Sequence, residues 1–206
     1  MNTRDFDKDA ADWDKNPARI KLASDIARAL VSRIKLRHDM DVVDFGCGTG
    51  LLTLFLAPFV NAVTAVDFSQ GMLDVLNKKI AAQKVHNVKT LYWNIAKSKD
   101  FPGKYHLVTS SMVLHHIEDL SGMIDNFYDH LVCDGFVVIA DLDPDDGEFH
   151  EDKQGVFHNG FSRELIKVEL KRAGFRDVVS VPAATINKPV NGIIKKFTVF
   201  LAVGKK

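Results

Sequence analysis

Short apolar runs alternate along the chain with amphipathic segments whose apolar positions recur every three or four residues. The runs predict seven strands, at residues 42–45, 62–67, 88–93, 106–110, 136–140, 178–181 and 197–203. The amphipathic segments predict helices between them, most clearly over 20–34, 120–131 and 165–173. The first, second and fifth strands are apolar on both faces, which is typical of interior parallel strands covered by helices.

Strands that alternate with helices predict right-handed crossovers and a parallel sheet. The last two strands are joined by a short link that contains Pro182, Pro189 and Gly192. This link is too short for a helical crossover, so we expect the two strands to pair antiparallel. The predicted fold class is therefore α/β: a Rossmann-like, doubly wound sheet of seven strands, the last antiparallel, with helices on both faces and an N-terminal helical cap.

We expect a single domain over residues 1–206, with a helical segment at 1–37 and the α/β core at 38–206. A loop at 142–161 follows the fifth strand, and a loop of this length without structure of its own is usually functional. Ligands of doubly wound sheets bind at the carboxyl ends of the strands, where the strand order reverses. The residues that follow each strand are therefore the candidates for chemistry.

Composition narrows the class of protein. The 206 residues carry 27 basic and 27 acidic side chains, so the formal net charge is zero and an electrostatic nucleic-acid binder is disfavoured. No apolar run reaches the roughly 18 residues of a membrane span, and the polar, acidic N-terminus is unlike a signal peptide. Two cysteines make no disulfide framework, so we expect a cytoplasmic protein. We expect the protein to be a monomer or homodimer.

The first strand runs into a glycine-rich turn, with Gly46, Gly48 and Gly50 ahead of a predicted helix. Glycines allow a tight turn and let a ligand approach the backbone. A dinucleotide fingerprint places a small residue where Leu51 stands, so this turn favours a nucleoside without phosphates. The second strand ends in Asp67, where a carboxylate can accept hydrogen bonds from both ribose hydroxyls.

The segments Val42 to Gly50 and Ala65 to Ser69 resemble two motifs of the class I S-adenosylmethionine-dependent methyltransferases, specifically the small-molecule, type 11/12-like subgroup. Supporting similarity extends over most of the chain. The resemblance implies S-adenosyl-L-methionine as cofactor and transfer of its methyl group to a small-molecule acceptor by in-line displacement. Its predicted cofactor-binding residues are Asp44, Gly46, Cys47, Gly48, Gly50, Asp67, Phe68, Met72, Asn94, Ile95, Ser110 and Ser111. Asn94 stands where the family usually has an acidic residue.

His115 and His116 follow the fourth strand, so at least one of them is expected to face the crevice. A histidine titrates near neutral pH and can take a proton from a hydroxyl or thiol acceptor. They are the predicted catalytic residues. The alternative is that they bond to the backbone and shape the loop. A general base is needed only when the acceptor arrives protonated.

The substrate site is predicted from the N-terminal segment and the 142–161 loop. The candidates are Trp13, Phe149, His150, His158 and Phe161. The alternative is a solvated loop that tucks one or two phenylalanines into the core. No metal is predicted, because histidine ligands spaced three to five residues apart are absent and the aspartates do not match a calcium loop.

Three other functions remain open at this point. The chain can methylate a protein or RNA, although its balanced charge counts against this. It can be a non-catalytic module that binds S-adenosylmethionine. A nicotinamide-dependent dehydrogenase is disfavoured by Leu51.

Overall fold

The computed structural model describes residues 6–93 and 102–206. The strands are β1 Asp41–Phe45, β2 Ala62–Asp67, β3 Val88–Tyr92, β4 Tyr105–Ser111, β5 Leu131–Leu142, β6 Arg176–Val190 and β7 Ile193–Lys205. The helices are α1 Phe6–Asp9, α2 Pro17–Val31, α3 Leu51–Leu56, α4 Gln70–Gln83, α5 Leu120–His130 and α6 Arg163–Arg172. Short 3₁₀ helices occupy Ala10–Lys15, Ala57–Phe59 and Leu114–His116. Within the described ranges, none of the helices is long and apolar enough to cross a bilayer.

The seven strands form one sheet in the order β3-β2-β1-β4-β5-β7-β6. The five strands β1 to β5 pair in parallel, and β7 runs antiparallel to both β5 and β6. The predicted seven-stranded, doubly wound fold is therefore confirmed. The chain order reverses between β1 and β4, which places the ligand-binding crevice of such a sheet beside the ends of these two strands.

The C-terminal hairpin is longer than the sequence predicted. β6 and β7 pair as far as Val190 and Ile193, so the expected link is itself strand and only Asn191 and Gly192 form the turn. Both turn residues have positive φ, of 51° and 80°, as a two-residue hairpin turn of this hand requires. Pro182 and Pro189 fit within β6 because it is the edge strand, where a missing N–H breaks no interior hydrogen bond.

The helices cover both faces of the sheet. One core contains Phe127 of α5 and Ile166 of α6 with strand residues such as Val108, and the other contains Leu30 of α2 with Val42. Burial of one such side chain stabilises the fold by about 1.5–3 kcal/mol. The helix α2 of the N-terminal segment is therefore part of the main sandwich.

The turn from β1 into α3 depends on its glycines. Gly46 and Gly50 have φ of 71° and 80°, and a Cβ at these positions would lie 2.2 Å from a Val113 methyl group and 2.3 Å from a Leu76 methyl group. Gly48 also has positive φ, of 53°, but a Cβ there meets no described atom within 4 Å. Two of the glycines thus permit close packing, while the third borders open space.

The substitutions Gly46→Ala and Gly48→Ala separate these roles. Gly46→Ala combines a left-handed backbone with a clash against Val113, so we expect it to lower the free energy of unfolding by about 2–4 kcal/mol. Gly48→Ala bears the backbone cost alone, about 1–2 kcal/mol. Urea denaturation of the ligand-free variants measures both values. Equal losses would contradict the packing described here.

Candidate active site

The glycine turn is bonded to the end of β2. The backbone N–H groups of Gly46 and Cys47 donate to the Val66 carbonyl oxygen, at 2.8 and 3.0 Å. The Gly48 N–H donates to Oδ2 of Asp67 at 2.7 Å, and the Ser69 N–H donates to its Oδ1 at 2.9 Å. The Asp67 carboxylate is thereby fixed beside the open face of Gly48.

Asp67 is 8% exposed. Burial raises its pKa, while the hydrogen bonds from the backbone of Ser69 and Gly48 oppose that rise. Each carboxylate oxygen accepts one backbone N–H and has lone-pair capacity for a further donor. A pair of adjacent hydroxyl groups, such as those of a ribose, matches this capacity.

Asp44 lies behind the turn. It is 1% exposed and accepts hydrogen bonds from Oγ1 of Thr53 at 2.5 Å and Oγ1 of Thr109 at 2.9 Å. Burial raises the pKa of Asp44 to about 6, although these hydroxyl groups act against the rise. In this structure Asp44 braces α3 against β4, so its predicted contact with the cofactor stays a prediction.

The other predicted cofactor residues surround the same turn. Cys47 and Met72 are buried, and burial raises the pKa of the Cys47 thiol well above its usual range, so this thiol is not an activated nucleophile. Phe68 is 42% exposed next to Asp67. Ser110 is buried and Ser111 half-buried at the end of β4. The predicted residues Asn94 and Ile95 lie outside the described residues.

Two aspartates dock the N-terminal segment onto the crevice. Asp7 accepts hydrogen bonds from Oγ of Ser69 at 2.6 Å and from the Gly71 N–H at 2.7 Å, at the start of α4. Asp14 accepts from Oγ1 of Thr49 at 2.6 Å and pairs with Nζ of Lys79 at 2.6 Å. The segment is thus attached to both the glycine turn and α4.

An aromatic contact extends this cover to the second half of the site. The Phe6 ring meets the ring of Phe68 edge-on at a centroid distance of 5.7 Å and that of His116 at 5.5 Å. Phe6 therefore bridges the residue that follows Asp67 and the segment that follows β4.

The turn after β4 carries the two predicted catalytic histidines. Met112 has a positive φ of 60°, and its N–H donates to the Ala140 carbonyl oxygen at 2.8 Å. A non-glycine residue in this region costs about 1–3 kcal/mol and persists only where the surroundings enforce it. The turn places His115 beside the end of β5.

His115 pairs with a buried carboxylate. Its Nδ1 lies 2.6 Å from Oδ1 of Asp141, and both residues are at most 1% exposed. Burial on its own raises the pKa of Asp141, but the charge and hydrogen bond of His115, with the backbone N–H groups of Leu142 and His115, lower it below its usual value. The carboxylate therefore accepts a hydrogen bond from Nδ1–H of His115 and fixes the orientation of the ring.

His116 and His150 complete a cluster with His115. Nδ1 of His116 lies 2.7 Å from the Gly155 carbonyl oxygen, so this nitrogen is the donor. The His150 ring centroid lies 4.8 Å from that of His115 and 5.5 Å from that of His116. One ring nitrogen of each histidine lies within 4.8 Å of the others. Such a cluster can accept a proton or bind a cation.

Comparison with known proteins indicates the family that this chain resembles. Residues 43–137 match a family model described as a methyltransferase domain. An uncharacterized methyltransferase from Schizosaccharomyces pombe is 28% identical over 82% of this chain and 65% of its own length. A ubiquinone biosynthesis O-methyltransferase from Coxiella burnetii is 32% identical over 54% of this chain and 44% of its own length. These matches support the assignment of the chain to the class I S-adenosylmethionine-dependent methyltransferases.

The fold of the family is also evident among solved structures. A SAM-dependent methyltransferase from Aquifex aeolicus superimposes with a TM-score of 0.66 at 17% identity, over 92% of this chain and 93% of that one. These matches support the predicted cofactor, S-adenosyl-L-methionine. The matches span about two thirds of the S. pombe relative and less than half of the Coxiella one.

The structure places the predicted substrate residues in unequal positions. Phe149 is half-buried and packs on the ring of Phe197 at 5.2 Å, and His150 joins the histidine cluster. Phe161 is 1% exposed in the core, so a role as an open pocket wall does not fit its position. Nε2 of His158 bonds to the Ile117 carbonyl oxygen at 2.9 Å, which indicates a role in holding the loop.

Trp13 is half-buried in the N-terminal segment. The Arg19 guanidinium lies 3.7 Å from the centroid of the Trp13 ring and donates to the Trp13 carbonyl oxygen at 3.3 Å. One ring face is therefore already engaged by a cation. The predicted contact of Trp13 with a substrate or a sulfonium would have to use the other face of the ring.

Sequence reasoning missed three acidic residues of this site, Asp7, Asp14 and Asp141. A signal existed for Asp141, because it lies near the end of β5, where that strand runs beside β4 with Ser111 paired to Ala140. Asp7 and Asp14 contact residues more than 30 positions away, and no local sequence pattern predicts such contacts.

The buried Asp44 carboxyl generates a pH prediction. Its folded pKa of about 6 lies above the ordinary value of about 4. The folded chain thus binds a proton in that interval that the unfolded chain does not, and the resulting stabilisation is lost as the pH rises from about 4 to about 6. Relative to Asp44→Asn, we expect the wild type to lose about 2–3 kcal/mol of unfolding free energy across this window. Urea titrations at both ends measure it, and a pH-independent difference would contradict the assignment.

Proposed function

We propose that the chain is an S-adenosylmethionine-dependent methyltransferase that transfers the methyl group to a small-molecule acceptor. The observation that carries this proposal is the pairing of the Gly48 N–H with the buried Asp67 carboxylate, next to a backbone face on which a Cβ meets no described atom within 4 Å. This is a cradle for a ribose, with backbone on one side and a carboxylate on the other.

The charges around the cradle fit this cofactor better than a phosphorylated one. Asp67, Asp7 and Asp14 all accept hydrogen bonds from the glycine turn or the adjoining start of α4. Lys79, the cation that contacts this group, is paired with Asp14. Carboxylates repel phosphate groups and favour a ligand that carries positive charge. S-adenosylmethionine has a cationic sulfonium and no phosphate.

The residues of the chain contribute binding, alignment and exclusion of water. When bound, the cofactor supplies a methyl group on a positively charged sulfur that leaves as a neutral thioether. Asp67 accepts the ribose hydroxyls, and the backbone of the glycine turn supports the rest of the nucleoside. The N-terminal segment, held by Asp7 and Asp14, covers the crevice and excludes water, so a bound acceptor is kept in line.

The acceptor side is formed by the histidine cluster and the loop that follows β5. This loop is tied to the C-terminal hairpin, because Nζ of Lys188 donates to the Phe149 carbonyl oxygen at 2.9 Å and Lys195 pairs with Glu148. A crevice covered from two sides suits a small acceptor. The Coxiella relative, named for ubiquinone biosynthesis, supports an acceptor oxygen. A cytoplasmic location and a monomeric or homodimeric state stay predictions.

Binding of the cofactor is the first test. We expect isothermal titration to show S-adenosylmethionine and its demethylated product binding in the micromolar range. Asp67→Asn removes the charge that the ribose hydroxyls bond to and should weaken both ligands at least roughly tenfold, since hydrogen bonds to a charged group contribute about 1.5–3 kcal/mol. Asp74→Asn, at an exposed position of α4, is the matched control and should bind as the wild type does. If Asp67→Asn bound both ligands with the affinity of the wild type, the proposed ribose site would be contradicted.

The size of the acceptor is tested separately. Methyl-labelled cofactor is incubated with the protein and a cell extract, and the extract is then divided by molecular size. We expect label in the small-molecule fraction, because both covers of the crevice limit access. Label in protein or RNA would overturn the small-molecule assignment and leave the cofactor site intact.

A further inference from the structure

We propose that His115, His116 and His150 form a binding site for one divalent transition-metal ion of the Zn²⁺ type. Its role toward the acceptor, described below, rests on the proposed methyltransferase function, whereas the metal site itself does not. The three imidazoles come from two separate parts of the chain, the turn after β4 and the loop after β5, and the fold brings them together.

The geometry is close to that of a bound site. One nitrogen of each ring lies within 4.8 Å of the others. A tetrahedral ion with bonds of about 2.0–2.1 Å requires nitrogen separations of about 3.3 Å, so the rings must approach by about 1.5 Å at most. His116 and His150 are half-buried, while His115 is held in the core by Asp141.

Two of the rings already have the outer partners that histidine ligands use. The Nδ1 atoms of His115 and His116 bond to the Asp141 carboxylate at 2.6 Å and to the Gly155 carbonyl oxygen at 2.7 Å. Metal-bound histidines almost always donate their second N–H to such groups, which fixes the tautomer and strengthens the ligand. In such an arrangement Nε2 is the nitrogen of each ring that would bind the ion. If these histidines only held the loop in place, the Nδ1 atoms of both rings would not need such partners.

The ligand type selects the ion. Imidazole nitrogen suits zinc, copper, iron and nickel, whereas magnesium and calcium require oxygen ligands. Three histidines leave one position of a tetrahedral ion open, which is the pattern of catalytic rather than structural zinc sites. The buried negative charge of Asp141 offsets part of the charge of the ion.

The open position gives the ion a role in methyl transfer. A hydroxyl or thiol acceptor binds there as its anion, and its proton passes to solvent. The oxygen or sulfur electron pair then forms the new bond to carbon, while the carbon–sulfur bond of the sulfonium breaks with its pair on sulfur. The ion thus replaces a histidine as the means of deprotonating the acceptor, because metal coordination lowers the pKa of a bound group.

Titration of the untagged, full-length protein with Zn²⁺ alone tests the site. We expect one ion per chain. His116→Gln and His150→Gln should each weaken binding by more than tenfold, since the loss of even an outer partner costs about 10–100-fold. Asp141→Asn, which is an outer partner, should fall within that range. His86→Gln, at an exposed histidine elsewhere, is the control and should bind as the wild type does. Circular dichroism of every variant checks that it folds, and Co²⁺ should give the visible absorption of a tetrahedral site.

Zn²⁺ binding that is equally strong in His116→Gln, His150→Gln and the wild type would overturn the proposal, as would the absence of stoichiometric binding by the wild type. S-adenosylmethionine binding is measured on the same samples. A chain that binds the cofactor but not the ion retains the proposed function and loses the metal site. A chain that binds the ion but not the cofactor retains the metal site and loses the proposed function.

Discussion

The buried carboxylate of Asp67 constrains the rest of the structure, because it is bonded to the backbone of the turn that the ligand must share. Its two oxygens accept the N–H groups of Gly48 and Ser69, at 2.7 and 2.9 Å, and this joins the end of β1 to the start of α4. Desolvation of such a group is costly unless hydrogen bonds compensate. A ribose brings two further hydrogen-bond donors, so its binding adds to the hydrogen bonds that offset the desolvation of the Asp67 carboxylate.

The same part of the crevice gathers the other determinants of the site. Asp7 and Asp14 attach the N-terminal segment to residues on either side of Asp67, and Phe6 spans from Phe68 to His116. One segment therefore contacts both the glycine turn and the histidine cluster. Val113, which lies two residues before His115, packs against Gly46. This contact couples the histidine cluster to the glycine turn through the core as well.

Much of this arrangement could be predicted from local sequence pattern. The strands, the glycine turn and Asp67 follow from periodicity and from the backbone freedom of glycine. The length of the C-terminal hairpin did not follow, because Pro182 and Pro189 indicate a link until the edge position of β6 is known. The burial of Phe161 and the exposure of its neighbours in the loop depend on tertiary packing, which spacing does not encode.

The site chemistry was predictable to a smaller extent. His115 and His116 stand at a strand end and were expected there, but their partners Asp141 and the Gly155 carbonyl are 26 and 39 residues distant. His150 was placed at the substrate and not with the other histidines. The carboxylate of Asp44 belongs to the same motif as the glycines, yet it bonds to Thr53 and Thr109. Motif membership does not reveal which way such a side chain faces.

A crystal structure of the chain with bound S-adenosylhomocysteine tests the central claim most directly. The account predicts both ribose hydroxyls within hydrogen-bond distance of the Asp67 carboxylate, about 2.5–3.0 Å, with the nucleoside against the open face of Gly48. A ribose bound elsewhere, with Asp67 still bonded only to Gly48 and Ser69, would contradict it.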